Sequence, residues 1–194
     1  KSRATPRTPT RAKVTAEPAP SFHNGREVVD AFFATKNWTP WQFQLDAWDA
    51  FARGESGVIT VATGAGKTYA AYMGPFAAMV DRVLALEQGF NNNAPAPPGP
   101  WLLYLSPLKS VARDVELALA EPIRFAQLPI RIESRTGDTS ASTRAKQKLR
   151  LPEVLITTPE SLSLLLTRDD APAAFAGLMG VIVDEWHELL ASKR

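Results

Sequence analysis

The sequence contains no cysteine among its 194 residues, which excludes disulfide bonds and zinc sites built from cysteine ligands. It also has no apolar run long enough to cross a membrane, so we expect no membrane partner. A large excess of charge is missing as well, because the formal net charge is only +2. Hydrophobic residues still make up 45% of the chain, which is enough for one sizeable core and favours a single folded domain.

The positive charge is concentrated at the beginning of the chain. Residues 1–20 carry five basic side chains and one acidic one, a net charge of +4, which leaves −2 for the remainder. Proline, threonine, alanine and basic residues alternate here without an apolar period or the apolar core of a secretory signal. We therefore predict a disordered tail over residues 1–21, with a nucleic-acid-binding arm as the alternative, and a folded domain over residues 22–194. The start at Lys1 instead of Met indicates a processed chain or a fragment.

The folded part is organised around residues 57–71, GVITVATGAGKTYAA. The β-branched run at 58–61 is typical of a strand, a glycine-containing turn follows it, and an alanine-rich helix begins after the turn. This order predicts a phosphate-binding loop of the P-loop type. Glycine lets backbone N–H groups approach phosphate oxygens, and the helix presents its positive dipole end to the same anion.

ATP and Mg²⁺ are the cofactors that this loop predicts. Lys67 would place a positive charge at the β- and γ-phosphates, and the Thr68 hydroxyl would be a ligand for Mg²⁺. The strict P-loop pattern has glycine where this chain has Val61, so an ordinary glycine-rich turn with a solvated lysine is the alternative. The residues assigned to the nucleotide are Thr63, Gly64, Ala65, Gly66, Lys67 and Thr68.

Two helical segments outside the loop contain candidate binding residues. Residues 41–53 form a predicted amphipathic helix that ends at Gly54. Gln44 lies near its start, and a glutamine amide can pair with the N6 and N7 edge of adenine, although an ordinary surface residue is the alternative. The basic helix face at 144–150 is either a binding surface or a solvated face.

Further apolar segments predict an α/β fold with a mostly parallel sheet flanked by helices. Residues 101–105 (WLLYL) are apolar on both faces, as expected of a central parallel strand. Shorter strands are predicted at 130–132, 154–156 and 181–183. The helix after the phosphate loop is expected to kink or end at Gly74-Pro75.

Polar residues follow the strands of this sheet. At 106–110 (SPLKS), a hydroxyl, a lysine and helix-start N–H groups form a second candidate phosphate site, with an ordinary capped turn as the alternative. Carboxylates at the tip of a buried strand are costly unless they hold a cation or face water. In a P-loop protein, Asp184 would hold Mg²⁺ and Glu185 would polarise the attacking water, whereas a strand end that simply reaches solvent is the alternative. An HExxH zinc-protease motif starting at His187 is excluded, because its last position is Ala191.

Five motifs occur in the order and approximate spacing of the first RecA-like lobe of superfamily 2 DExH box helicases. They are Gln44, TGAGKT at 63–68, SPLK at 106–109, TTPESL at 157–162 and DEWH at 184–187. The longer strings WTPWQFQLDAW, RTGDTSASTR and VDEWHELLASKR resemble the Lhr (large helicase-related) family, especially its ligase-associated DExH box branch. The resemblance implies a RecA-like P-loop NTPase lobe that is incomplete, being truncated before the second RecA-like lobe.

This resemblance implies an ATP-driven motor that moves 3′-to-5′ along single-stranded DNA and acts in DNA repair. Single-stranded or partly duplex DNA is the implied substrate, DNA ligase and nuclease repair proteins are implied partners, and the implied location is cytoplasmic, or nucleoid-associated in a bacterium. The second lobe supplies the arginine finger and the other wall of the ATP cleft, so we expect the chain alone to fold incompletely, bind nucleotide weakly and not unwind DNA. A P-loop ATPase acting on a protein or small molecule and a non-catalytic nucleic-acid-binding module are the alternative functions.

The resemblance also assigns roles to individual residues. It implies contact of Gln44 with adenine, contact of the loop residues with phosphates, and roles for Asp184 and Glu185 at Mg²⁺ and the catalytic water. It implies that His187 couples hydrolysis to strand movement. Two departures from the family pattern, Val61 and Ser110, remove no catalytic group. The residues implied to line the DNA-facing surface, where contacts hold a strand without reading its sequence, are Ser106, Pro107, Lys109, Thr158 and Glu160.

Overall fold

The computed structural model describes residues 22–62, 64–89, 98–107 and 112–191, with side chains up to Glu188. The predicted tail, Thr63 and Lys109 lie outside these residues. The described helices are α1 (Gly25–Thr35), α2 (Gln42–Ala52), α3 (Lys67–Glu87), α4 (Ala112–Phe125), α5 (Ala141–Leu149), α6 (Pro159–Leu166), α7 (Ala171–Ala174) and α8 (Trp186–Ala191). The described strands are β1 (Leu102–Leu105), β2 (Ile132–Arg135), β3 (Val154–Thr157) and β4 (Gly180–Val183).

The four strands form one all-parallel sheet in the order β2-β3-β1-β4. In the centre, Leu103 of β1 lies opposite Leu155 of β3 on one side and Val181 of β4 on the other. All of β3 and most of β1 are buried, which confirms the prediction of a parallel sheet with apolar central strands. Because the carboxyl ends of parallel strands share one edge of the sheet, the polar residues that follow them are brought together there.

The strand predicted at 58–61 is not formed. Residues 57–62 carry no strand pairing, and Val58 is 72% exposed. An extended segment becomes a strand only when its N–H and C=O groups pair with a neighbour, and no strand of the described residues pairs with this one. The strand predicted at 130–132 also needs correction, because the paired residues lie further along the chain, in β2.

Helix α3 continues through Gly74 and Pro75, so of the two expectations for this position, a kink or an end, the end is wrong. A proline inside a helix costs about 3 kcal/mol. Burial of a large apolar side chain contributes about 1.5–3 kcal/mol, and α3 buries several such side chains on both sides of the proline. Packing therefore outweighs the cost of the proline. The fully buried side chains of α3 in the main core are Tyr72, Met73, Phe76 and Met79.

The beginning of α3 is held in place by contacts with α2, which in turn packs against α1. The indole N–H of Trp48 on α2 donates to the backbone carbonyl of Tyr69 at 2.9 Å. The ring of Phe33 on α1 packs edge-on against Trp48, with 5.4 Å between ring centroids. The first turn of α3, directly after the phosphate loop, is therefore anchored to the packed helical layer.

The buried carboxylate of Glu153 joins the amino-terminal ends of β2 and β3. Arg131 donates to it from its backbone N–H at 3.0 Å and from Nε at 3.1 Å, and Arg150 donates from Nη2 at 3.0 Å. Glu153 is only 3% exposed. Burial alone would raise the pKa of Glu153, but the hydrogen bonds from Arg131 outweigh burial and hold the pKa below its usual value.

Replacing Glu153 with glutamine should flatten the acid side of the stability profile. A carboxyl whose pKa is lowered by folding stabilises the fold above its unfolded pKa, and this contribution is lost as the pH falls from about 4.5 through the folded-state pKa. The wild type should therefore lose stability over that range more steeply than E153Q. At pH 7 the variant should be less stable by about 1.5–3 kcal/mol, because charge-assisted hydrogen bonds are lost.

Thermal unfolding between pH 7 and pH 3 measures both effects. Glu55→Gln is the control, because it alters only the exposed ion pair with Arg53 and should change the profile little. Parallel profiles for the wild type and E153Q would contradict the role assigned to this carboxylate.

Candidate functional site

The loop before α3 has the backbone shape that its glycines permit. Gly64 and Gly66 have φ values of 81° and 87°, in the left-handed region that side chains other than glycine rarely adopt. A Cβ atom on Gly66 would lie 2.7 Å from Nε2 of Gln44, which is too close for any real contact. Helix α3 begins at the next residue, Lys67, so the N–H groups of its first turn point toward the loop. The loop and helix start therefore fit a bound phosphate.

Gln44 lies against this loop with its side chain only 4% exposed. Its Nε2 donates to the Gly66 carbonyl at 3.1 Å, and its Oε1 accepts from the backbone N–H of Trp41 at 2.9 Å. These two bonds use one of the two donors of the amide and one of the two lone pairs on its oxygen. Gln44 thus holds the loop to the start of α2, and its contact with adenine stays a prediction.

The ammonium group of Lys67 lies over the same loop. Its Nζ is 3.5 Å from the carbonyl oxygen of Val61, on the other side of the turn. Lys67 is half-buried. The glycine-containing turn with Gly64 and Ala65 lies between Val61 and Lys67 in the chain. A positive charge in this position fits the phosphates predicted for the loop.

Asp184 is held by a residue that the sequence interpretation did not single out. The hydroxyl of Tyr104, on β1, donates to Oδ2 of Asp184 at 2.8 Å. Burial raises the pKa of the Tyr104 phenol, the charge of Asp184 raises it further, and a side-chain hydrogen bond with Thr68 opposes the change. The phenol therefore stays protonated and remains a donor.

The carboxyl end of β4 holds the two acidic residues at the edge of the sheet. The backbone N–H of Asp184 donates to the Leu105 carbonyl at 2.8 Å, and Oδ1 of Asp184 accepts from the N–H of Glu185 at 3.0 Å. Glu185 has a φ value of 47°, in the left-handed region that residues other than glycine rarely adopt. His187 follows, with Nδ1 3.6 Å from Oε2 of Glu185 and Nε2 3.6 Å from Oε1 of Glu188.

The oxygen atoms at this edge fit a magnesium ion shared with a nucleotide. Mg²⁺ prefers hydroxyl, carboxylate, phosphate and water oxygens, and proteins usually bind it with one or two carboxylates plus substrate phosphates. Thr68 supplies a hydroxyl at the start of α3, and Asp184 supplies a carboxylate that accepts from the Tyr104 hydroxyl. Within the described residues, no three His, Cys, Asp or Glu side chains form a group that could hold a metal ion by themselves.

The residues predicted to face DNA occupy the ends of the two neighbouring strands. Ser106 is 2% exposed, and its N–H donates to the Thr157 carbonyl at 3.0 Å. The Thr158 hydroxyl caps α6 by accepting from the N–H of Ser161 at 3.4 Å, and Thr158 is also 2% exposed. Pro107 is half-buried and Glu160 is exposed. The sheet brings these residues to one edge, and their contact with DNA stays a prediction.

Sequence interpretation missed Tyr104 because its strand matched a buried apolar pattern. The signal was nevertheless present, since the phenol is the one side chain of WLLYL with a hydroxyl and it stands next to the end of the strand. A buried hydroxyl requires a hydrogen-bond partner. Only the fold identifies that partner as Asp184.

A family model described as DEAD/DEAH box helicase matches residues 41–194. The chain belongs to this helicase family. The match includes the phosphate loop and the carboxylates after β4, and the parallel sheet with flanking helices confirms the expected RecA-like fold. Every helix of this helicase chain within the described residues is too short or too polar to cross a membrane.

Curated relatives of this helicase chain carry the name Lhr. The Lhr helicase/probable uracil glycosylase of Mycolicibacterium smegmatis is 36% identical over 188 residues, which cover 88% of this chain and 12% of that protein. The Lhr helicase/uracil glycosylase of Escherichia coli is 33% identical over 177 residues, which cover 83% of this chain and 11% of that protein. The chain therefore spans about an eighth of the length of these relatives.

A solved structure supports the same relationship. The Mycobacterium smegmatis helicase Lhr bound to ssDNA and AMP-PNP has a TM-score of 0.67 and 37% sequence identity. The matched region covers 87% of this chain and 21% of that one. The family and the Lhr resemblance are thus confirmed, while the placement in the ligase-associated branch stays a prediction.

Proposed function

We propose that residues 22–194 are the nucleotide-binding first lobe of an ATP-dependent DNA helicase or translocase. The observation that carries the proposal is the Asp184 carboxylate, held by the Tyr104 hydroxyl after β4, together with the glycine loop over which Lys67 lies at the start of α3. A P-loop lysine and hydroxyl next to a strand-end carboxylate are the parts that phosphoryl transfer requires.

Each residue has a separate task in the proposed reaction. The loop N–H groups and Lys67 bind the phosphates, and Thr68 and Asp184 hold Mg²⁺, which when bound neutralises charge on the phosphate oxygens. Glu185 accepts a proton from the water that attacks the γ-phosphorus as the bond to ADP breaks. His187 lies 3.6 Å from Glu185, which supports its proposed role in coupling hydrolysis to strand movement.

DNA is the proposed substrate of the neighbouring edge of the sheet. The Mycobacterium smegmatis relative is bound to ssDNA, and here the ends of β1 and β3 bring Ser106 and Thr158 close together. Lys109 would add a positive charge for the DNA backbone. Movement in the 3′-to-5′ direction, a role in repair with ligase and nuclease partners, and a cytoplasmic location belong to the same proposal.

We also infer that the lobe alone binds nucleotide weakly and does not unwind DNA. The side chains of Glu185 and His187 are 41% and 62% exposed, so water reaches the reacting groups from the open side. Electrostatic stabilisation of phosphoryl transfer is stronger when the site is closed to solvent. A second lobe with an arginine finger would provide that closure.

The test is strand separation by the native polypeptide, isolated from source cells with an antibody against this segment. Partial duplexes with either a 3′ or a 5′ single-stranded tail report direction. We expect a polypeptide several times longer than 194 residues that separates only the 3′-tailed duplex, with ATP and Mg²⁺. ATP turnover that is independent of DNA, or a native mass near 21.2 kDa, would overturn the motor proposal.

A further inference from the structure

Tyr104 is placed differently from an ordinary core tyrosine. It lies on the central strand β1, between β3 and β4, and its ring belongs to the main hydrophobic core with 2% exposure. A phenylalanine would fill the same apolar space. What the tyrosine hydroxyl adds is a hydrogen bond to Asp184 at the polar edge of the sheet.

The contact of that hydroxyl fixes the orientation of a carboxylate. Oδ2 of Asp184 accepts from Tyr104 at 2.8 Å, while Oδ1 accepts from the Glu185 N–H at 3.0 Å. With both oxygens engaged, rotation of the carboxylate would break at least one hydrogen bond. The phenol on β1 therefore fixes a side chain that follows β4, so the pairing of these two strands sets the direction of the carboxylate.

We propose that Tyr104 is a positioning residue that holds Asp184 in place for Mg²⁺, which Asp184 would share with Thr68 at the nucleotide site. This inference rests on the proposed function, because it assigns the same two residues to the ion. Tyr104 acts through Asp184 and does not itself contact the nucleotide. It therefore determines how well the site accepts Mg²⁺, while nucleotide binding without the ion depends on the loop.

Replacing Tyr104 with phenylalanine should raise the Mg²⁺ concentration needed for half-maximal nucleotide binding by about 10-fold or more. Residues that orient metal ligands typically change metal affinity by 10- to 100-fold when they are mutated. Binding of the nucleotide in EDTA should be unchanged, because the phosphate loop is intact. Titration of the full chain with a fluorescent ATP analogue, at increasing Mg²⁺ and in EDTA, measures both quantities.

Tyr72→Phe is the matched control. Tyr72 is also buried and lies on α3, the same helix as Thr68. Its hydroxyl donates to the Leu119 carbonyl within the core at 3.1 Å. Both variants lose one buried hydroxyl, so their thermal unfolding temperatures should fall to a similar extent. Only Y104F should change the Mg²⁺ requirement.

The outcomes separate this inference from the proposed function. If the wild type binds nucleotide in a Mg²⁺-dependent way and Y104F has the same Mg²⁺ midpoint, the positioning role alone is overturned. An equal shift in Y72F overturns it too, because general loosening of the core would then explain the effect. Wild-type chain that shows no Mg²⁺-dependent binding overturns the proposed function and the inference together.

A double-mutant cycle tests the route of the effect. If Tyr104 acts through Asp184, adding Y104F to Asp184→Asn should shift the Mg²⁺ midpoint much less than Y104F does in the wild type. Additive shifts in the double variant would contradict action through this carboxylate.

Discussion

Replacing Lys67 with alanine should weaken binding of an ATP analogue by about 10- to 100-fold and abolish detectable ATP turnover. The ammonium group lies over the loop, 3.5 Å from the Val61 carbonyl, where it would meet the phosphates. Hydrogen bonds to charged groups contribute about 1.5–3 kcal/mol, and each 1.4 kcal/mol is a tenfold change in affinity. Titration with a fluorescent ATP analogue measures binding by the chain, and phosphate release measures turnover by the native polypeptide.

Lys146→Ala is the control for K67A. It removes the same charge from an exposed position on α5, away from the loop, and should leave nucleotide affinity unchanged. Equal weakening in both variants would mean that overall charge, and not the loop, governs binding. If K67A binds the ATP analogue as tightly as the wild type, the assignment of this loop to phosphate binding is contradicted.

Replacing Glu185 with glutamine should lower the turnover number by about 10²- to 10⁴-fold while ATP binding stays near that of the wild type. A positioned general base contributes an acceleration of this size, and glutamine keeps the shape of the side chain but cannot accept the proton. Binding is retained because the loop, Thr68 and Asp184 are unchanged. Phosphate release by the native polypeptide, compared with equilibrium binding of the ATP analogue, separates the two effects.

Glu188→Gln provides the matched comparison for E185Q. Its carboxylate lies 3.6 Å from the other nitrogen of His187 and its side chain is 55% exposed. This variant should keep near wild-type turnover, because the carboxylate is not placed at the end of β4. If E188Q loses as much turnover as E185Q, the base has been assigned to the wrong residue.

The strand predictions succeeded where the pattern was unambiguous. The apolar runs at 101–105, 154–156 and 181–183 overlap β1, β3 and β4. Strands β1 and β3 are buried as central parallel strands require, whereas β4 ends the described strand order and leaves Val181 and Val183 exposed, so the expectation of a buried strand there is wrong. The equally β-branched run at 58–61 is unpaired, because local preference for an extended backbone cannot supply a hydrogen-bonding neighbour.

For the polar residues, too, the sequence indicated the kind of role and the fold determined the contact. Gln44 lies buried against Gly66, 22 residues away in sequence, a partner that the sequence pattern does not indicate. The Thr158 hydroxyl caps α6 within its own segment, which matches the preference of threonine for helix starts. In both cases the residue type indicated a polar role, while the fold decided its partner.

Neighbouring residues in the chain were enough to predict the glycine loop before α3, the buried central strands and the acidic pair at 184–185. The hydrogen bond between Tyr104 and Asp184 follows from the three-dimensional fold. Tyr104 and Asp184 are 80 residues apart, and their contact exists because β1 and β4 pair in parallel with one particular register. A register displaced by one residue would turn the side chains of β4 to the opposite face, so the site depends on the packing of the whole sheet.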